Sequence, residues 1–135
     1  MKEKLMRYYI ALVHKDDGSA YGVQFPDVPG CYSAADDIAD LVPNAVEALS
    51  LYAEDTKLPA PRDIDQVRTD PAVAHELAAG AFLAAIPLIE NDAKVVRANI
   101  TMESGMLKAI DAAARARHLT RSAFLAQAAR HEIER

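Results

Sequence analysis

The chain opens with short apolar runs separated by turn signals, the pattern of a meandering sheet. Met6-Arg7-Tyr8-Tyr9-Ile10-Ala11-Leu12-Val13-His14 is aromatic and β-branched and predicts a strand, ended by the turn Lys15-Asp16-Asp17-Gly18. Tyr21, Val23 and Phe25 alternate in a returning strand, and Pro26 and Pro29 stop its pairing before a third strand resumes at Cys31-Tyr32-Ser33. The period then changes. Leu41, Ala45, Ala48, Leu49 and Tyr52 keep helical spacing, with Asn44, Glu47, Ser50 and Glu54 opposite, so a helix ends near Glu54 or Asp55. Asp36, Asp37 and Asp40 are each N-cap candidates for its start, with Pro43 just beyond them. Capping by Asp40 rather than Asp37 keeps the proline among the first positions, whose N–H groups lack a partner anyway; the alternative is a distorted first turn.

Lys57 to Asp63 is Pro-rich and predicts an extended exit, followed by a short helix from Pro71 to Ala79 closed by Gly80. The apolar run Ala81 to Ile89, interrupted by Pro87, predicts a buried strand whose end lies at a sheet edge. Strand, strand, strand, helix, strand makes one α+β layer. Glu90-Asn91-Asp92-Ala93 is a polar linker, which divides the chain into domains 1–92 and 93–135. Beyond it Val96, Ala98, Ile100 and Met102 alternate with Arg97, Asn99 and Thr101, a strand with one apolar and one hydrogen-bonding face. Leu107, Ile110, Ala113 and Ala114 then keep helical spacing, His118-Leu119-Thr120 interrupts, and Phe124, Leu125, Ala128 and Ile133 resume it. One strand and two helices cannot bury their own apolar faces, so Val96, Ala98, Ile100, Met102, Leu107, Ile110, Phe124 and Leu125 are expected to form a core shared with a second copy.

Composition sharpens this division. Of 135 residues 27 are alanine, so bulky core-forming residues are scarce and two small units are favoured over one large core. The net charge of −5 conceals a reversal: residues 1–93 hold 7 Lys/Arg against 16 Asp/Glu, or −9, and residues 94–135 hold 8 against 4, or +4. A basic terminal segment on an acidic chain suits a phosphate backbone. No apolar stretch reaches the ~18 residues of a membrane helix and no basic-then-apolar leader opens the chain, so a soluble cytoplasmic protein is expected, starting at Met1 or Met6. A single cysteine and the spacing of the four histidines leave neither an internal disulfide nor a metal site, and no cofactor is implied.

The last segment resembles the ribbon-helix-helix DNA-binding family from Val95 to about Ile133, through Val96 to Met102, Leu107 with Ile110-Asp111, and Thr120-Arg121-Ser122-Ala123-Phe124. The resemblance implies that two strands pair antiparallel in the major groove, with Arg97, Asn99 and Thr101 reading bases. The chemistry agrees: Arg bonds guanine O6 and N7 together, Asn bonds adenine N6 and N7, and Thr bonds a base or touches a thymine methyl. Thr120, Arg121 and Ser122, at a helix start, suit backbone phosphate, and Thr120 and Ser122 also suit simple capping. His118 stands where that family often has glycine at positive φ.

The first half resembles the HicB family of antitoxins over residues 6–90. The residues that carry it are Tyr21 to Cys31, with its string Phe25-Pro26-Asp27-Val28-Pro29-Gly30-Cys31, then Asn44 to Leu49, and Leu58-Pro59-Ala60-Pro61. The implied architecture is α+β: an N-terminal partial RNase H-like β-β-β-α-β domain without nuclease activity, followed by the C-terminal ribbon-helix-helix domain. The implied function is to bind and neutralise a HicA-type mRNA-cleaving toxin and to repress the protein's own operon at operator double-stranded DNA. The implied assembly is a homodimer through the C-terminal domain, with a tetramer as a further step. The acidic half fits a basic RNA-binding partner, and Asp16, Asp17, Asp27, Tyr32, Asp36 and Asp37 are the candidate toxin contacts.

The residues speak against two other functions. Metal-dependent nuclease chemistry needs converging carboxylates, whereas Asp16-Asp17 and Asp36-Asp37 read as turn and cap pairs, so no catalytic residue is assigned. A ligand-responsive ribbon-helix-helix repressor would need a polar pocket in the first half, where residues 81–90 and the helix offer few polar groups.

Overall fold

The structure, a computed structural model, describes residues 6–90 and 95–135. Met1, as a candidate start, and linker positions 91–93 lie outside the described residues. The chain divides into two compact units, Met1–Asp92 and Ala93–Arg135.

The first unit contains β1 (Tyr8–Lys15), β2 (Tyr21–Gln24), β3 (Tyr32–Ala35), α1 (Ile38–Asp55), α2 (Ile64–Arg68), α3 (Pro71–Ala78) and β4 (Phe82–Pro87). The strands form an antiparallel sheet in the order β3-β2-β1-β4. Period-two alternation sends Tyr9, Ala11, Val13, Val23 and Ile86 to one face, where they pack with Leu41, Ala45, Val46 and Leu49 of α1. Ile10 and Leu12 point the other way and meet Val67 of α2 and Val73 of α3. β1 is thus covered on both sides, which is why its sequence is a continuous apolar run rather than an alternation.

Three expectations need correction here. The sheet carries a helix layer on each face where one α+β layer was expected, because α2 was missed: it is five residues long, too short for a period, and its signal is the capping box of Asp63 and Gln66. Helix α1 starts three residues earlier than expected, with Asp37 at the N-cap, so Pro43 lies inside it. The first turn is tightened by an Asp40 N–H bond to the Asp37 carbonyl, a three-residue spacing that accommodates the early start. Finally, β4 is the sheet edge over its whole length, and only its last residues, Ile86 and Pro87, are buried.

The second unit contains α4 (Ser104–Ala116) and α5 (Arg121–Glu134). His118 has φ 57°, the left-handed turn between them. Its N–H bonds the Arg115 carbonyl and that of Leu119 bonds the Ala114 carbonyl. At Gly80, which has φ 107°, α3 ends with the same pair of bonds, the Gly80 N–H to the Leu77 carbonyl and the Ala81 N–H to that of Glu76. Residues 95–103 form no strand within the single chain, contrary to the expected strand over 96–102; a strand exists only against a ladder partner, and one chain contains a single copy of this segment.

Candidate functional site

The Phe25 to Cys31 string is a structural knot. Phe25, Val28 and Cys31 are buried, and the Val28 and Cys31 N–H groups bond the carbonyls of Phe25 and Val28 in successive turns. Gly30 has φ 94°, and a Cβ there would meet the Tyr52 hydroxyl at 3.3 Å, while that hydroxyl donates to the Pro29 carbonyl at 3.0 Å. Burial pushes the Cys31 thiol pKa up, which keeps it protonated and unreactive. Asp27 belongs to this knot. Its side chain is 9% exposed and accepts from Arg62 twice, Nε to Oδ1 at 2.6 Å and the backbone N–H to Oδ2 at 2.8 Å. Arg62 Nη1 continues to Asp70 Oδ2 at 3.1 Å. Arg62 first, and the Ala72 N–H after it, hold the Asp70 carboxyl below its usual range. Asp27 is therefore a structural partner rather than the surface carboxylate expected from the sequence.

The other acidic candidates do reach the surface, and the sheet register brings them together. Lys15 pairs with Tyr21 and Tyr21 with Ala35, so the turn carrying Asp16-Asp17 and the connection carrying Asp36-Asp37 emerge at the same end of the sheet. All four are exposed. Ser19 ties the first turn by accepting from the Asp16 N–H and donating to the Asp16 carbonyl. Tyr32 is 67% exposed on edge strand β3, in register with Gln24.

In the second unit Arg97, Asn99 and Thr101 are exposed, as is the apolar set that alternates with them: Val96 is 72% and Ile100 63% exposed, and Ala98 is open too. Met102, Leu107, Phe124 and Leu125 are half-buried, and Ile110 is buried with Ala114. The Thr120 hydroxyl accepts from the Ala123 N–H at 3.1 Å and so acts as the α5 cap; Ser122 is exposed beside it. Arg121 is not a free cation: its Nε and Nη2 donate to the two carboxylate oxygens of Asp111, each at 2.8 Å, and this pairing holds the Asp111 carboxyl below its usual range. Arg62 and Asp70, and the pairing of Asp111 with Arg121, were missed by sequence reasoning. Asp111 and Arg121 lie ten residues apart across a helix turn, and Arg62 meets Asp27 thirty-five residues away, distances that periodicity does not register. Among the described residues no cluster of His, Cys, Asp and Glu could hold a metal ion, and no helix is long and apolar enough to cross a membrane.

Residues 9–129 match the model of the HicB-like antitoxins of bacterial toxin–antitoxin systems. The chain is 32% identical over 135 residues to an uncharacterised 14.9 kDa protein from the rep–hol intergenic region of Haemophilus phage HP1, covering 95% of this chain and 98% of that one. Among solved structures it is similar to the Burkholderia pseudomallei antitoxin HicB, with 33% identity, a TM-score of 0.51 and coverage of 95% of this chain and 97% of that one. It is also similar to a chain of a HicA3–HicB3 toxin–antitoxin complex, with 27% identity and a TM-score of 0.50, covering 61% of this chain and 98% of that one.

Proposed function

The chain belongs to the HicB-like family of antitoxins, regulatory proteins without enzymatic activity, and on that premise we propose that it neutralises a HicA-type toxin with its first unit and represses its own operon with its second. The similarity to a chain of a HicA3–HicB3 complex is the observation that carries the toxin partner. Support for the rest is physical. The first unit, read as a partial RNase H-like domain, offers a cationic protein the exposed carboxylates at one sheet end and the exposed Tyr32. Residues 95–103 keep Val96 and Ile100 open to solvent while Arg97, Asn99 and Thr101 alternate with them, as one strand of a two-copy ribbon would. In this reading the homodimer forms through the ribbon and the protein works in the cytoplasm, with Thr120 and Ser122 at the α5 start facing phosphate.

Adding full-length chain to a HicA-type toxin and a reporter mRNA is the direct test. Cleavage should stop near stoichiometric ratio, and the same preparation should shift the DNA upstream of its own operon but not an unrelated duplex. Undiminished cleavage at excess chain would remove the antitoxin assignment; neutralisation without selective DNA binding would remove only the repressor half.

A further inference from the structure

The outer edge of β3 and the neighbouring stripe of α1 form a surface that the fold leaves open beside Tyr32. β3 ends the strand order, so one side of its ladder is open. Asn44 of α1 donates to the Ala34 carbonyl at 2.9 Å, which fixes that carbonyl as pointing outward. In an antiparallel ladder the residue two places away turns its backbone the same way, so Tyr32 also offers its N–H and C=O to the open edge. Next to it Tyr32, Ala48, Leu51, Tyr52 and Asp55 line a slot of about 490 Å³. Leu51 is 51% exposed there, on a helix whose opposite face supplies the core.

Charge decides what fits. α1 runs back along β3, so Asp55, which lines the slot, stands near the start of the β3 edge, and Asp36 and Asp37 follow its end. A second copy adding its own β3 antiparallel about a two-fold axis would bring the Asp36-Asp37 end of each copy to the Asp55 end of the other. It would do so between halves that each carry 7 Lys/Arg against 16 Asp/Glu. An extended segment bearing Lys or Arg meets opposite charge at both ends instead. The geometry points to strand addition on β3 by a cationic extended segment of the toxin, with an apolar side chain of that segment seated over Ala48 and Leu51. This rests on the antitoxin reading and assigns its contact surface: main-chain bonds at Tyr32 supply affinity, and the slot supplies selection.

The test titrates full-length chain with a catalytically inactivated HicA-type toxin by calorimetry. Leu51→Arg places a cation in the slot at an exposed position, and Ala78→Arg makes the same charge change on α3, in the opposite layer. Leu51→Arg should weaken toxin binding by roughly 30-fold or more, the size expected of an interface anchor, with an unchanged melting temperature, whereas Ala78→Arg should bind as wild type. Amide exchange at Tyr32 should slow when toxin is added. Wild-type binding that Leu51→Arg leaves intact, equal losses in both variants, or unprotected Tyr32 would overturn the surface while leaving the antitoxin reading standing. A change of oligomeric state in Leu51→Arg without toxin would reassign the edge to a second copy. Absence of binding by the wild-type chain would instead remove the antitoxin reading itself, and this surface with it.

Discussion

Arg62 joins three stretches of chain, because one guanidinium holds both Asp27 of the Pro-Asp-Val-Pro-Gly loop and Asp70, the cap of α3. Asp27 is nearly buried, so removing its partner leaves a carboxylate with little water to replace the lost bonds. Arg62→Met should therefore destabilise the first unit by about 1–3 kcal/mol at neutral pH, read as a lower urea midpoint. Its pH dependence follows from Asp70, whose pKa is depressed in the folded chain mainly by the Arg62 bond. A depressed carboxyl stabilises the fold above its unfolded pKa, about 3.9, and loses that contribution as pH falls through the folded value. The gap between Arg62→Met and wild type should be full at pH 7 and narrower at pH 3. A gap of the same size at both would show that the bonds do not depend on ionisation. Gly30 sets a second residue-scale constraint, since φ 94° and the Tyr52 hydroxyl both oppose a Cβ. Gly30→Ala should lower stability by roughly 1–2 kcal/mol, again measured by urea titration.

Helix ends show what an element tolerates. α3 and α4 close with the same two bonds, but α3 uses Gly80 and α4 uses His118, whose Cβ is strained at φ 57°. His118→Gly should stabilise the second unit by about 0.5–1 kcal/mol, visible as a higher thermal midpoint; a lower one would mean that the imidazole makes contacts worth more than the strain. Inside α1, exposed Pro43 denies the Ala39 carbonyl its donor. Pro43→Ala should raise stability by roughly 1–3 kcal/mol in the same measurement. These elements also mark how far the sequence could be read. β1, β2, α3, α4 and α5 were legible, because period, turn residues and caps are local, and the left-handed His118 followed from the ribbon-helix-helix resemblance. The missed parts were non-local: α2 is defined by one capping box under β1, the start of α1 by which aspartate the sheet leaves at the end of β3, and the Asp27 role by an arginine far along the chain. The edge position of β4 belongs to the same class, since strand order cannot be read from apolar content.

At the scale of the molecule, the proposed function makes the basic second unit one half of a two-copy body. This unit buries Ile110 and Ala114 between its helices but leaves Val96 and Ile100 in water, and covering each such side chain is worth about 1.5–3 kcal/mol. A second copy would cover them by pairing residues 95–103 across a two-fold axis, which turns Arg97, Asn99 and Thr101 of both chains to one side of the ribbon. Two kinds of variant on this segment should then behave differently. Ile100→Asp is harmless in a lone chain, where position 100 is exposed, and costly in a ribbon, where it buries a carboxylate. It should give a monomer by sedimentation, abolish operator binding and leave toxin neutralisation to the first unit. Arg97→Ala with Asn99→Ala should instead remain dimeric and lose roughly 1–3 kcal/mol of operator discrimination for each bidentate contact removed. Arg121, held by Asp111, should act differently from a free phosphate contact: Arg121→Ala should loosen the α4–α5 turn and lower the thermal midpoint before it changes the salt dependence of binding. If Ile100→Asp stays dimeric and still binds the operator, residues 95–103 do not form the ribbon, and the apolar alternation of Val96 and Ile100 must serve a contact other than self-pairing.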